Sequence, residues 1–184
     1  MKVFLSDQTK KLPKLLSVFK KTKVMSYDKK ELKEKVTIID IPNKHEIEEL
    51  DLNFFFDYHI FPDNIISAYC QWNDENRSMQ AGDTIVQQAF IPPNKVLSQK
   101  IVFAVRILQV IKEPDRVGYS YETLEGHVEK GVSTFTIEKL NGKLIFKIHT
   151  FSKPGSFLSK LVGPIFTVPY QTYCTKKCLN ISQI

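Results

Sequence analysis

Asn141 and Gly142 separate two segments in which polar and apolar residues alternate. The segments are residues 132–140 and 143–151. Alternation is typical of a strand with one buried face, and Asn-Gly suits the two central positions of a type I′ turn, where φ is positive. The sequence therefore predicts a β-hairpin here.

Three more strands are predicted upstream of the hairpin, over residues 84–91, 99–111 and 116–124. The middle segment is apolar on both faces except at Arg106 and Gln109, which is typical of a central strand covered on two sides. Together with the hairpin, these strands predict an antiparallel meander.

Three segments outside the meander complete the prediction. Residues 52–60 are rich in aromatic side chains, which favours a strand, and a proline near the start of residues 62–72 favours a helix there. Residues 156–184 carry apolar residues at helical spacing, and Pro164 and Pro169 predict a kink in that helix. We therefore expect an α+β fold in which an antiparallel sheet packs against a long, kinked C-terminal helix.

The N-terminal segment is strongly basic. Residues 1–35 hold 11 of the 26 Lys and Arg residues but only four of the 20 acidic residues. Apolar residues recur in it at helical spacing and predict a short amphipathic helix. They are Leu12, Leu15, Leu16 and Phe19. Two interpretations remain open: the apolar stripe docks on the body of the protein, or residues 8–23 contact an anionic membrane surface or nucleic acid.

We divide the chain into a basic helical segment, residues 1–44, and a folded domain, residues 45–184. Because the densest apolar patterning follows residue 50, we expect a chain without residues 1–35 to fold. The net charge of +6 is concentrated in the basic segment. We therefore expect no nucleic-acid binding by the folded body.

Composition disfavours several classes of protein. No run of about 18 apolar residues is present, and the N-terminus lacks the apolar stretch of a secretory signal. We therefore expect a soluble, cytoplasmic protein without a transmembrane segment. The three cysteines form no CxxC pair, so we expect neither a disulfide framework nor a metal site. No motif indicates a cofactor, and the oligomeric state stays open.

One stretch of the sequence resembles a known family. The run EPDRVGYSYETLEGHVEKG at residues 113–131, the FSKP turn at residues 151–154 and Gln171 are similar to the uncharacterised protein family 0548. Members of that family carry a similar EPDRFGFAYGTLPGHPE run and an FSRP turn. Here Val128 stands in place of the family's usual proline, and Lys153 in place of its arginine.

The resemblance covers residues 52–180 and implies a fold like that of START domains and birch-pollen allergens. In this helix-grip fold, a curved antiparallel sheet wraps around a long C-terminal helix and commonly encloses an apolar cavity. The family itself implies no biochemical activity, because a shared fold does not determine function.

Five residues are candidates for the wall of such a cavity. Arg106 interrupts an apolar strand, so its cation needs an acidic ligand, a protein carboxylate or water. Tyr119 and Tyr121 point to one face of their strand, and tyrosines line pockets as well as cores. We place these three beside Phe146 and Tyr170, beneath the C-terminal helix.

His127 and Glu129 lie in a glycine-bounded loop, which we place near the cavity entrance. A histidine with a carboxylate two residues away can exchange protons near neutral pH, but no nucleophile, metal-ligand set or phosphate-binding loop accompanies this pair. The chain is therefore predicted to bind a small hydrophobic or amphipathic ligand. A protein-interaction or membrane-surface adaptor that uses the basic segment is the alternative. An enzyme that uses His127 and Glu129 is the third hypothesis.

Overall fold

The structure of the protein is a computed structural model that describes residues 2–42, 44, 46–91 and 98–154. The predicted C-terminal helix, and Tyr170 with it, lies outside these residues. The strands of the described part are β1 (Lys2–Phe4), β2 (Lys33–Ile41), β3 (Ile66–Cys70), β4 (Thr84–Ile91), β5 (Gln99–Glu113), β6 (Arg116–Thr123), β7 (Glu129–Leu140) and β8 (Lys143–Pro154). Its α-helices are α1 (Leu12–Phe19), α2 (Asn53–Phe56) and α3 (Gln71–Asp74).

All these strands join one antiparallel sheet. They are hydrogen-bonded in the order β2-β8-β7-β6-β5-β4-β3, and β1 pairs with β5 outside this path. Strand β1 lies beside residues 100–102 of β5, and β6 lies beside residues 105–113 on the same side. The predicted antiparallel α+β architecture is therefore confirmed for the described part of the chain.

The predicted hairpin is confirmed at Asn141-Gly142. Both residues have positive φ, 52° at Asn141 and 75° at Gly142, and Leu140 pairs with Lys143 across the turn. Asn and Gly tolerate this left-handed conformation, which other residues adopt only with strain. The turn thereby fixes which side chains of β7 and β8 lie opposite each other.

Strand β5 is covered on two sides, as its apolar pattern predicts. Ile101, Phe103 and Val105 point to the main hydrophobic core, and we call this side of the sheet the core face. Val102 points to the other side, which we call the helix face because α1 packs against it. Val102 and Val105 are both fully buried.

Helix α1 docks on the helix face through its apolar stripe. Leu12 and Leu16 are buried and form a second hydrophobic cluster with Val86 of β4 and Val102 of β5. This arrangement agrees with the docking interpretation of the basic segment.

Elements on both sides of the expected division at residue 44 belong to the same sheet. Strand β2 pairs with β8 along all nine of its residues. Removal of residues 1–35 would take away α1 and expose the apolar side chains beneath it. The expectation that the chain folds without residues 1–35 stays a prediction, which loss of cooperative thermal unfolding in the truncated chain would contradict.

The predicted strand over residues 52–60 is wrong. The segment contains the single-turn helix α2, and the Asp51 side chain accepts a hydrogen bond from the backbone N–H of Asn53 at 2.9 Å. Consecutive phenylalanines in a helical turn can be buried against a core, and so can alternating phenylalanines in a strand. Local aromatic content therefore does not distinguish the two here.

The predicted helix over residues 62–72 is wrong for most of its length. A turn forms in which the Pro62 carbonyl accepts hydrogen bonds from Ile65 and Ile66, and β3 follows. Pairing with β4 is a long-range interaction, and it overrides the local helical pattern.

Replacement of Leu16 tests whether α1 contributes to the core. We expect Leu16→Ala to lower the free energy of unfolding by about 2–4 kcal/mol, because it leaves a cavity between α1 and the helix face. Val18 lies on the same helix with 56% of its surface exposed, and Val18→Ala should change stability by less than about 0.5 kcal/mol. Urea unfolding measures both, and equal effects would contradict the docking of α1.

Candidate functional site

Four polar side chains form a row across the core face of the sheet. The register places Tyr121 of β6 opposite Ser133 of β7, Ser133 opposite Thr150 of β8, and Thr150 opposite Lys35 of β2. Residues directly opposite in antiparallel strands point to the same face. The Ser133 and Thr150 hydroxyls lie 3.1 Å apart and share a hydrogen bond. We call these four residues the polar row.

The neighbouring rows on the core face are mostly apolar. Tyr119, Phe135, Ile148 and Thr37 form the adjacent row, and Val117, Ile137, Phe146 and Ile39 form the next. Residues around α2 cover them: the Phe55 ring lies 5.1 Å from that of Tyr119 and 6.0 Å from that of Phe146. The core face therefore changes from apolar to polar along the strands.

His127 lies in the loop before β7, against the core face. Its ring centre lies 4.4 Å from that of Phe103, edge to face. Nδ1 of His127 lies 3.0 Å from the backbone nitrogen of Glu129 and 2.9 Å from the carbonyl oxygen of the same residue, and the tautomer of the ring decides whether Nδ1 accepts from the first or donates to the second. Burial lowers the pKa of His127 to about 4, and the imidazole is neutral near pH 7.

Glu129 links this loop to the polar row. Burial raises the pKa of its carboxyl group, and the positive charge of Lys35 partly offsets that effect. The Glu129 carboxyl thus lies close enough to Lys35 to be influenced by its charge. Tyr121, His127 and Glu129 are the predicted site residues that the fold gathers at the polar end of the core face.

Arg106 lies on the opposite side of the sheet from these residues, which corrects the predicted arrangement. Because side chains alternate along β5, Arg106 shares the helix face with Val102. Its guanidinium donates to the backbone carbonyls of Phe19, Lys20 and Thr22 at 3.0, 3.1 and 3.2 Å. A cation at the C-terminal end of a helix stabilises carbonyls that lack helical partners. Arg106 therefore holds the end of α1.

Two further predicted residues lie within the core instead of beside open space. Tyr119 is fully buried and Phe146 is 3% exposed, and both pack against Phe55. Sequence reasoning missed Lys35, Ser133 and Thr150, because their alignment depends on the pairing of β2, β7 and β8. The alternation within β7 and β8 was a usable signal for Ser133 and Thr150.

Two other features, a metal site and a membrane-spanning helix, are absent from the described residues. No group of three or more His, Cys, Asp or Glu residues among them is arranged to hold a metal ion. None of the helices in the described part has the length and apolar character needed to cross a bilayer.

The sequence matches a family model described as a domain of unknown function, DUF1990, over residues 56–181. A UPF0548 protein of Deinococcus radiodurans is 36% identical over 61 residues, which are 33% of this chain and 31% of that protein. A UPF0548 protein of Arabidopsis thaliana is 37% identical over 73 residues, which are 39% of this chain and 36% of that protein. The alignments thus span about a third of these curated relatives. The resemblance to family 0548 is confirmed.

Comparison with solved structures finds one similar fold and one more distant similarity, both at low sequence identity. A protein from Arthrobacter aurescens, determined by solution NMR, aligns with a TM-score of 0.51 and 10% identity over 88% of this chain and 92% of that protein. The ginseng major latex-like protein 151 aligns with a TM-score of 0.44 and 12% identity over 78% of this chain and 94% of that protein. The first similarity shows the fold alone, and the second is too distant to support an argument.

The environment of His127 predicts a specific pH dependence of stability. Its pKa is 6.5 as a free side chain and about 4 in the fold, so between these values the unfolded chain binds the proton more strongly. The stability contributed by the neutral ring is present above pH 6.5 and is lost as the pH falls towards 4. Urea unfolding at pH 7 and pH 5 should show a larger loss for the wild type than for His127→Gln.

Glu129 titrates in the opposite sense to His127. Its raised pKa means that the folded protein binds the proton more strongly, so its effect stabilises the fold as the pH falls. Both proteins contain Glu129, and its effect cancels when their pH profiles are compared. The difference between the two proteins therefore isolates His127. Parallel pH profiles would contradict the burial of a neutral imidazole.

The contacts of Arg106 predict a structural effect of its removal. We expect Arg106→Met to lower the free energy of unfolding by about 1–3 kcal/mol, because three carbonyls lose a charged donor. Lys21→Met removes the same charge from an exposed position nearby and should be close to neutral. Urea unfolding compares the two, and an equal effect would show that Arg106 acts only through the net charge.

Proposed function

Because the chain belongs to the family described as domain of unknown function DUF1990, which carries no assigned activity, we propose a function from geometry: it binds a small amphipathic molecule at the polar row. The observation that carries this proposal is the change from apolar to polar rows along one face of one sheet. A molecule with an apolar body and a hydrogen-bonding head matches such a surface.

The polar row offers complementary groups for a head group. The hydroxyls of Ser133 and Thr150 bond to each other at 3.1 Å, and each oxygen keeps further hydrogen-bonding capacity. Lys35 adds a cation and Tyr121 a phenol at the two ends of the row. A carboxylate or hydroxyl head fits this set, because both accept hydrogen bonds from ammonium and hydroxyl donors.

Apolar surface adjoins the row on two sides. Phe135 lies in the next row, with its ring centre 5.4 Å from that of Tyr121. The Phe103 ring contacts the His127 ring at the same end of the core face. Both rings are buried, so an apolar body extending from the head group would contact this aromatic group through Tyr121, whose side chain is half-buried.

We further propose that the predicted C-terminal helix covers this site. Strand β8 ends at Pro154, which pairs with Glu129, so the chain leaves the sheet beside the His127 loop. This connection supports a cavity between the sheet and residues 156–184, with Tyr170 as a candidate wall residue.

The other hypotheses have less support. Leu12 and Leu16 are engaged with the sheet, so a membrane contact through residues 8–23 would depend on exposed lysines and a few exposed apolar side chains such as Val18. A His127 ring with a pKa of about 4 is a poor proton donor at neutral pH, so no catalytic role is proposed for it.

Native mass spectrometry with laurate as probe tests ligand binding at the polar row. We expect the wild-type protein to bind one laurate, and Ser133→Ala/Thr150→Val to bind it about 5–10-fold more weakly, because two hydroxyl contacts are lost at nearly constant shape. Thr134→Val removes a hydroxyl from the opposite face of β7 and is the matched control. Isothermal titration calorimetry gives the dissociation constants.

Two outcomes would contradict this function. One is the absence of both a co-purifying compound and laurate binding in the wild-type protein. The other is equal affinity of the wild type, the double variant and the Thr134→Val control, which would place any bound laurate elsewhere.

A further inference from the structure

A pocket lies at the end of the sheet away from β2, beside β3. Its volume is about 640 Å³, which is within the range of ligand sites. Three segments supply most of its wall: residues 7–11, residues 57–63 and the whole of β3, Ile66–Cys70. Because β3 ends the strand order opposite β2, this pocket is independent of the polar row.

The pocket runs along the edge of β3. Successive side chains of a strand point to opposite faces, so five consecutive residues can line one cavity only along the strand's edge. Within the described residues, β3 pairs only with β4. The cavity thus follows a strand edge about 17 Å long.

The hydrogen-bond pattern shows which backbone groups face this edge. The N–H of Phe90 donates to the carbonyl of Ile65 at 3.0 Å, which makes the next pair in the register, Ile66 and Ala89, a non-hydrogen-bonded pair. Hydrogen-bonded and non-hydrogen-bonded pairs alternate along the two strands. The backbone groups of Ser67 and Tyr69 therefore bond to β4, and the N–H and C=O of Ala68 point away from it. Ala68 makes no backbone hydrogen bond to another of the described residues on that side.

The two walls of the pocket carry opposite charges. On the helix-face side are Lys10 and Lys11, both exposed, together with Asp7, whose carboxylate accepts hydrogen bonds from Thr9 and Gln88, so this wall keeps a net positive charge. On the core-face side are Asp57 and Asp63, beside Tyr58. An added strand would direct its alternate side chains towards these two walls in turn.

Tyr58 shows that the core-face wall is held in a fixed shape. Its φ is 62°, a left-handed conformation that is costly for a bulky residue. The side chain is 2% exposed, and its hydroxyl accepts a hydrogen bond from the Gln87 amide at 2.9 Å. Packing and this hydrogen bond maintain the conformation of Tyr58, which is part of the pocket wall.

We propose that this pocket binds an extended peptide of a partner protein, which adds to β3 as an antiparallel or parallel strand. Ala68 supplies backbone hydrogen bonds to the peptide. Acidic side chains of the peptide face Lys10 and Lys11, and the alternate side chains, which face Asp57 and Asp63, are uncharged because acidic residues there would be repelled. Backbone pairing provides affinity in such complexes, and the alternating pockets provide specificity.

A synthetic peptide of alternating Glu and Val, eight residues long and blocked at both ends, is the probe. Its two controls are a block peptide of the same composition and an alternating peptide with N-methylated amides. Fluorescence anisotropy should show binding of the alternating peptide at least about tenfold tighter than either control, because only it presents paired backbone groups with sorted side chains. Equal binding of the three peptides would overturn the proposal.

Hydrogen exchange measured by NMR locates the pairing. The Ala68 amide should exchange rapidly in the free protein and become at least about tenfold slower with the alternating peptide. The amides of Ser67 and Tyr69 should be protected in both states because they bond to β4. An Ala68 amide that is already protected in the free protein, or that does not respond to the peptide, would overturn the proposal.

Charge reversal tests the orientation of the peptide side chains. We expect Lys10→Glu/Lys11→Glu to weaken binding of the alternating peptide at least about tenfold at low salt. Lys14→Glu/Lys21→Glu makes the same change in net charge at exposed positions outside the pocket and should alter affinity by less than about threefold. Equal loss in both variants would show attraction by overall charge and would overturn the assignment of this wall.

Discussion

Strand β5 has apolar side chains on both faces, and both faces must be removed from water. The strand also pairs with β1, β4 and β6. One cover is helix α1 on the helix face, and the other is the aromatic cluster around α2 on the core face. The N-terminal segment is thus a layer of the fold. Its lysines remain on the surface because the apolar stripe of α1 alone meets the sheet.

This arrangement explains why a cation is tolerated within β5. Arg106 reaches the carbonyls at the C-terminal end of α1. The hydrogen bonds to these three carbonyls offset the free-energy cost of burying its charge. The same contact fixes the end of the helix that covers Val102. A residue whose polarity conflicts with its strand therefore has a structural partner, and the face that carries the candidate ligand site is free of its charge.

Local patterns predicted the centre of the sheet well. The alternation and the Asn-Gly pair identified β7 and β8, and the extents of β4, β5 and β6 followed from their apolar runs and turns. Residues 52–60 and 62–72 were misassigned, since their conformation is decided by contacts with distant strands and not by nearest neighbours. The C-terminal helix lies outside the described residues and stays a prediction.

The candidate site was only partly accessible from sequence. His127 and Glu129 are identifiable in the sequence because they are polar and close together, although Glu129 is the first residue of β7 and only His127 lies in the loop before it. Lys35, Ser133 and Thr150 come from three strands, and only the register of the sheet aligns them. Arg106 was grouped with the tyrosines because alternation identifies residues on the same face within one strand but does not relate faces between strands. A shift of one residue in pairing reverses that relation.

The central claim is that the polar end of the core face binds a ligand. A titration of ¹⁵N-labelled protein with laurate, followed by NMR, tests it most directly. The account predicts the largest shift changes at Tyr121, Ser133 and Thr150, with smaller ones in the His127 loop and none around Arg106 on the helix face. Changes confined to the helix face, or no change at saturating laurate, would contradict it.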